Sequence, residues 1–176
     1  MTGSRHLLDT AGRRRSQASR FRPAALLLTP LLAILFQVYV PLFFAYLGYL
    51  ELPLLVTVYF AMMRRRPVSG MLYGAVIGLM QDSLSSHPIG MFGIVKTLVG
   101  YLAATISLRF DLETPVARFV SASVFYVFHQ ACYWGLERTL LGSSLEFSVA
   151  ETLLQGVLNG VVAIPLFHLL DKLRET

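Results

Sequence analysis

Residues 24–63 read AALLLTPLLAILFQVYVPLFFAYLGYLELPLLVTVYFAMM, forty positions in which Glu51 is the single ionisable side chain apart from tyrosines. That length suffices for two passes through a bilayer, whose hydrocarbon core of about 30 Å takes roughly 20 residues of helix. No water reaches that depth, so every backbone N–H and C=O must find its partner inside the segment. A helix meets this condition and a lone strand does not. Strands of a membrane barrel would alternate in polarity over about 10 residues, whereas Leu26–Leu28 and Leu31–Phe36 are apolar on every side. The stretch therefore reads as two membrane helices.

Outward from this stretch the same pattern repeats. Hydrophobic residues make up 55% of the chain and charged residues 14%, the charges being confined to short strips between apolar blocks. A soluble domain carries roughly 25% charged residues. The apolar blocks predict six crossings, at about Pro23–Tyr46, Leu50–Met63, Pro67–Leu84, Ile89–Leu108, Pro115–Leu136 and Val149–Leu170. Pro67 and Pro115 fall where a first helical turn tolerates a missing N–H, and Ser-Ser-His-Pro at 85–88 is a turn. The second and third segments are short. They either cross where other helices surround them or continue less regularly into their loops. Residues 1–22 form a basic tail expected to be disordered and cytoplasmic, 23–170 a single transmembrane domain, and 171–176 a short cytoplasmic tail.

Orientation follows from lysine and arginine, which favour the cytoplasmic side. With the N-terminus inside, that side holds Arg5, Arg13, Arg14, Arg15, Arg20, Arg22, Arg64, Arg65, Arg66, Arg109, Arg118, Lys172 and Arg174. The other side holds Arg138, and Lys96 lies within a helix. Six crossings with both ends cytoplasmic fit this distribution. The net charge of +5 therefore reports topology and not a nucleic-acid groove. No A-x-A-like site closes the first apolar block, which argues against a cleaved signal. Cys132 is the only cysteine and excludes an internal disulfide or a CxxC metal site.

Few residues are candidates for chemistry. Gly70, Gly74 and Gly78 recur every four residues, and Asp82 continues the spacing, so all four share a helix face. Small residues on one face let two backbones approach closely. That face either packs against a neighbouring helix of the same chain or lines a groove used by a partner protein. Asp82 and Lys96 are charges near or within the membrane, where charge is costly and usually paired. An Asp82–Lys96 ion pair, snorkelling to headgroups, and a substrate- or proton-handling role are the three readings. Glu51, beside Pro53, complements the positive N-terminus of the second helix. His129, Gln130, Gln155 and Asn159 lie mid-helix and either hydrogen-bond between helices or form a small polar cavity. No HExxH, Walker loop, GxSxG or paired-carboxylate spacing occurs, so an enzymatic reading has no support, and neither a cofactor nor a metal is expected.

Residues 51–107 carry a resemblance. ELPLLVTVYFA at 51–61 leads to the basic turn Arg64-Arg65-Arg66-Pro67, then GMLYGAVIGLMQDSLSSHPIG at 70–90, then an apolar helix containing Gly100-Tyr101-Leu102. This resembles the MreD family of bacterial rod shape-determining membrane proteins. That family shows an apolar helix, a basic turn, a glycine-spaced helix ending in an Asp-Leu-x-Ser-Gly-like stretch, and a Pro-Leu-Gly-like turn. Ser85, Ser86 and His87 depart from the small Ser-Gly pair, and the arginine-rich tail is longer than usual.

The resemblance implies a non-catalytic inner-membrane component of the elongation machinery that binds MreC. It also implies influence on a glycan polymerase and its transpeptidase, and an indirect link to MreB. The implied partner surface comprises Gly70, Gly74, Gly78, Asp82, Pro88 and Gly90. The family is similar in fold to the substrate-binding subunits of energy-coupling-factor transporters, which implies a polar pocket or groove near Asp82 and the 83–90 turn. Asp82, Lys96, His129, Gln130 and Asn159 are the candidates for such an intramembrane pair or pocket. A vitamin-type transporter subunit is the alternative, although Thr29-x-x-x-Ala33 is a poor substitute for the Ala-x-x-x-Ala docking pattern. A proton- or lipid-handling carrier is a third.

Overall fold

The computed structural model describes residues 23–85, 88–110, 114–142 and 147–174. The basic tail at 1–22 and the Ser86-His87 departure lie outside the described residues. Among the described residues six α-helices run in order: α1 Pro23–Tyr39, α2 Leu52–Arg64, α3 Pro67–Leu84, α4 Met91–Ile106, α5 Pro115–Leu140 and α6 Val149–Asp171. Proline occupies the first turn of α2, α3 and α5, where its missing N–H would have had no helical partner anyway. Thr114 and Ser148 cap α5 and α6 by accepting the backbone N–H groups of Ala117 and Glu151. Between α1 and α2 the chain forms two short 3₁₀ turns, Val40–Leu42 and Ala45–Tyr49.

Among the described residues three segments are long and apolar enough to cross a membrane: Ala24–Leu42, Ala45–Arg64 and Val149–Asp171. Met91–Ile106 is a shorter apolar helix. The limits of α3 coincide with those read from the sequence, whereas the first predicted segment breaks at Pro41 into 3₁₀ turns. Proline cannot donate to the helical ladder, and the two turns leave Phe43, Phe44 and Tyr46 exposed at that end of the bundle.

α2 is the centre. Every residue from Pro53 to Met63 is buried, which explains a segment apolar on all faces. Tyr59 packs its ring on Phe167 of α6 at 5.2 Å, and Phe60 meets Tyr73 of α3 at 5.4 Å. α1 is held from outside by a specific bond. Pro30 lies inside α1 and leaves the carbonyl of Leu26, four residues earlier, without its helical donor. The Tyr73 hydroxyl of α3 donates to that carbonyl at 2.8 Å.

The tightest contact is between α3 and α4, which cross antiparallel through their glycines. A Cβ added at Gly70 would lie 2.4 Å from the Gly100 carbonyl oxygen. At Gly74 it would lie 2.0 Å from the Lys96 oxygen, and at Gly78 2.3 Å from the Phe92 oxygen. The main chains touch where any other residue would collide. Away from that contact, Val68, Leu72, Val76 and Leu79 of α3 are exposed.

Candidate functional site

Polar side chains inside this bundle gather at the end where α2, α4 and α6 begin and α3 and α5 finish, called here the Glu51 end. Lys96, two turns into α4, is fully buried, and so are His129 of α5 and Asn159 of α6. The Lys96 ammonium lies 3.5 Å from Glu51 Oε2, 3.5 Å from His129 Nε2 and 4.4 Å from the centre of the Phe92 ring. An ammonium has donors and no acceptor, so it donates to His129 through the Nε2 lone pair. The proton of the imidazole then sits on Nδ1, which donates to Gln130 Oε1 at 3.3 Å. The imidazole also stacks on Phe92, with ring centres 5.8 Å apart. A buried cation is thus answered by a carboxylate, an imidazole lone pair and a ring face, the kind of pairing that a charge at membrane depth requires.

Asn159 works on the backbone. Its Oδ1 accepts from the Glu51 N–H at 2.9 Å, and its Nδ2 donates to the Tyr49 carbonyl at 2.9 Å. Gln37 of α1 accepts from the Leu52 N–H at 3.3 Å. These three groups are the ones that the change from 3₁₀ turn to α2 leaves without helical partners. Behind them, Tyr126 of α5 donates to Gln155 Oε1 of α6 at 2.7 Å. The result is one polar knot joining α1, α2, α4, α5 and α6 at the mouth of the central helix.

The predicted Asp82–Lys96 pair does not form. Asp82 is buried and accepts three backbone N–H groups, from Gly90 at 2.9 Å, Phe92 at 3.1 Å and Gly93 at 3.0 Å. It therefore caps the N-terminus of α4, where a carboxylate also meets the positive end of the helix. Gly90 enters that cap at φ 100°, a conformation that a side chain would strain. Asp82 and Gly90, eight residues apart in the motif, are bonded to each other. Lys96, one turn beyond Phe92, turns to Glu51 instead.

Glu51 stands at the N-cap of α2, but its carboxylate makes no hydrogen bond to that helix and lies against Lys96 instead. Its side chain is 14% exposed, so it is the knot's link to the surface. The pairing had a signal in the sequence: one carboxylate in a forty-residue apolar block, and one lysine within a helix, both near the start of their segments. Among the predicted residues, Lys96, His129 and Gln130 come together, Asn159 joins them through the Glu51 backbone, and Asp82 stands apart. Gly70, Gly74 and Gly78 face α4, so the glycine stripe is occupied within the chain.

A second cluster at the opposite end had no sequence signal beyond its charges. Arg118 at the start of α5 meets Asp171 at the end of α6 at 2.7 Å, and Tyr59 of α2 donates to the same carboxylate at 2.8 Å. Arg174 lies 3.4 Å from it. Finally, a cleft of about 490 Å³ opens between the 3₁₀ turn and α6, lined by Tyr49, Glu151, Leu154, Gln155 and Leu158. The predicted opening lay near Asp82, whose carboxylate is instead taken up by the α4 cap.

A central apolar helix, apolar outer faces, and buried charges met by an opposite charge or by backbone N–H groups define an α-helical membrane protein. Neither the curated proteins nor the solved structures include a match to the chain. The family model of the rod shape-determining protein MreD matches residues 19–173, and the chain belongs to that family of shape determinants.

Proposed function

We propose that the chain is a non-catalytic scaffold of the rod-elongation machinery in the bacterial cytoplasmic membrane. In this reading it crosses six times with both ends cytoplasmic, binds MreC, and through it helps control cell shape and peptidoglycan synthesis. The glycan polymerase and the transpeptidase are further partners, and MreB is reached indirectly. The observation that carries the proposal is the family match over residues 19–173. The Glu51 end then faces the periplasm. With α4 covering the glycines, the partner surface at that end centres on the Pro88–Gly90 turn, where Ile89 is 82% exposed. Gly70, Gly74, Gly78 and Asp82 serve that surface by fixing α3, α4 and the turn between them. The transporter reading is not favoured, because the family is one of shape determinants.

The test is affinity purification from native membrane in mild detergent, with the recovered proteins identified by mass spectrometry. Recovery of MreC from the wild type, and its loss from an inserted Ile89→Asp variant, is the expected result. Recovery of an ATPase pair with a coupling membrane protein instead would replace the scaffold by a transporter subunit.

A further inference from the structure

The cleft beside α6 has the chemistry of a specific lipid site. Its floor is apolar: Leu154 and Leu158 lie four residues apart on one face of α6 and are both exposed. Its rim is polar, with Glu151 in the first turn of α6, Tyr49 across the gap, and Gln155 between them. Both walls are pinned from behind. Asn159 holds the Tyr49 carbonyl, and Tyr126 holds Gln155 Oε1. With Oε1 taken, the Gln155 amide has its N–H groups to offer. The walls are therefore set before any ligand arrives, and the volume of about 490 Å³ is that of a small-molecule site.

Charge selects the occupant. Glu151 is the one charged lining residue, no described cation pairs with it, and neither lysine nor arginine lines the cleft. An anionic headgroup would set its phosphate against this carboxylate with nothing to compensate. A headgroup carrying a primary ammonium supplies donors to Glu151, while its phosphate accepts from Gln155 and the Tyr49 hydroxyl. We propose that this cleft binds a zwitterionic phospholipid with a primary ammonium headgroup, of the phosphatidylethanolamine class, its acyl chain lying along Leu154 and Leu158. Bound there, the lipid bridges the 3₁₀ turn and α6 on the side of the polar knot that faces the bilayer.

The test is native mass spectrometry of the delipidated full-length protein, titrated separately with dioleoyl phosphatidylethanolamine, phosphatidylcholine and phosphatidylglycerol. A charge-assisted hydrogen bond from the primary ammonium to Glu151 should make the ethanolamine lipid bind about tenfold tighter than the other two. Glu151→Gln should bring the ethanolamine and choline lipids within about twofold of each other. Leu154→Trp, a change at an exposed position, should fill the groove and weaken all three. Equal affinity of the wild type for the three lipids overturns the proposal and leaves the cleft to a protein segment. A preference undiminished in Glu151→Gln, or affinities unchanged in Leu154→Trp, overturns it equally.

Discussion

Replacing Gly74 by alanine tests the fold where it is tightest. The new Cβ would stand 2.0 Å from the Lys96 carbonyl oxygen, 2.7 Å from its carbon and 3.2 Å from the Thr97 nitrogen. All three are backbone atoms of α4, so no side chain can swing aside. Ordinary contact begins near 3.4 Å, and the helices must part by about 1.4 Å locally. Overpacking of this kind costs about 1–3 kcal/mol, and rigid neighbours place Gly74→Ala at the upper end. Against this, alanine is a better helix former than glycine by about 1 kcal/mol. The net expectation is a loss of about 2 kcal/mol. Gly135→Ala in α5 is the matched control. Nothing lies within 4 Å of its Cβ, so only the helical gain of about 0.5–1 kcal/mol remains. The two variants should differ by nearly 3 kcal/mol, about a hundredfold in the unfolding equilibrium. Reversible unfolding in mixed micelles of rising dodecyl sulfate fraction, followed by far-ultraviolet circular dichroism, measures both. Coincident curves for the two variants, or an equal loss in Gly135→Ala, would refute the backbone-contact argument.

Three further outcomes follow from the polar residues. Lys96→Met strands the Glu51 carboxylate and should cost about 2–4 kcal/mol, and adding Glu51→Gln should recover at least half of it. Adding Asp82→Asn in place of Glu51→Gln should recover nothing, and recovery there would restore the Asp82–Lys96 pairing. Asp82→Asn alone should cost about 2–3 kcal/mol and speed amide exchange at Phe92 and Gly93, because an amide replaces the carboxylate that caps α4. Unchanged exchange would remove Asp82 from that role. Asn159→Leu frees the Tyr49 carbonyl and the Glu51 N–H, each worth about 1–3 kcal/mol when buried. It should accelerate exchange at Glu51 and leave the Arg118–Asp171 end protected, and uniform acceleration would mean that the knot is not local.

The class and the elements were legible in the residues alone. Apolar runs too long and too uniform for strands, broken by proline and arginine, set six helices close to their observed limits, because backbone satisfaction in lipid admits little else. It also limited the glycine stripe to a close backbone contact, since Gly70, Gly74 and Gly78 share a face at any helical pitch. The motif over residues 51–107 pointed to the family that the match over residues 19–173 shows. Pairing was a different matter. Whether the glycines met α4 or a partner, and whether Lys96 met Asp82 or Glu51, depended on which helices lie side by side. In the folded chain Asp82 is consumed by three amides of α4, which frees Lys96 for a carboxylate forty-five residues upstream. Periodicity fixes which face a residue occupies, but a buried charge is satisfied by whatever group another helix brings to the same depth, and one-dimensional spacing does not carry that information.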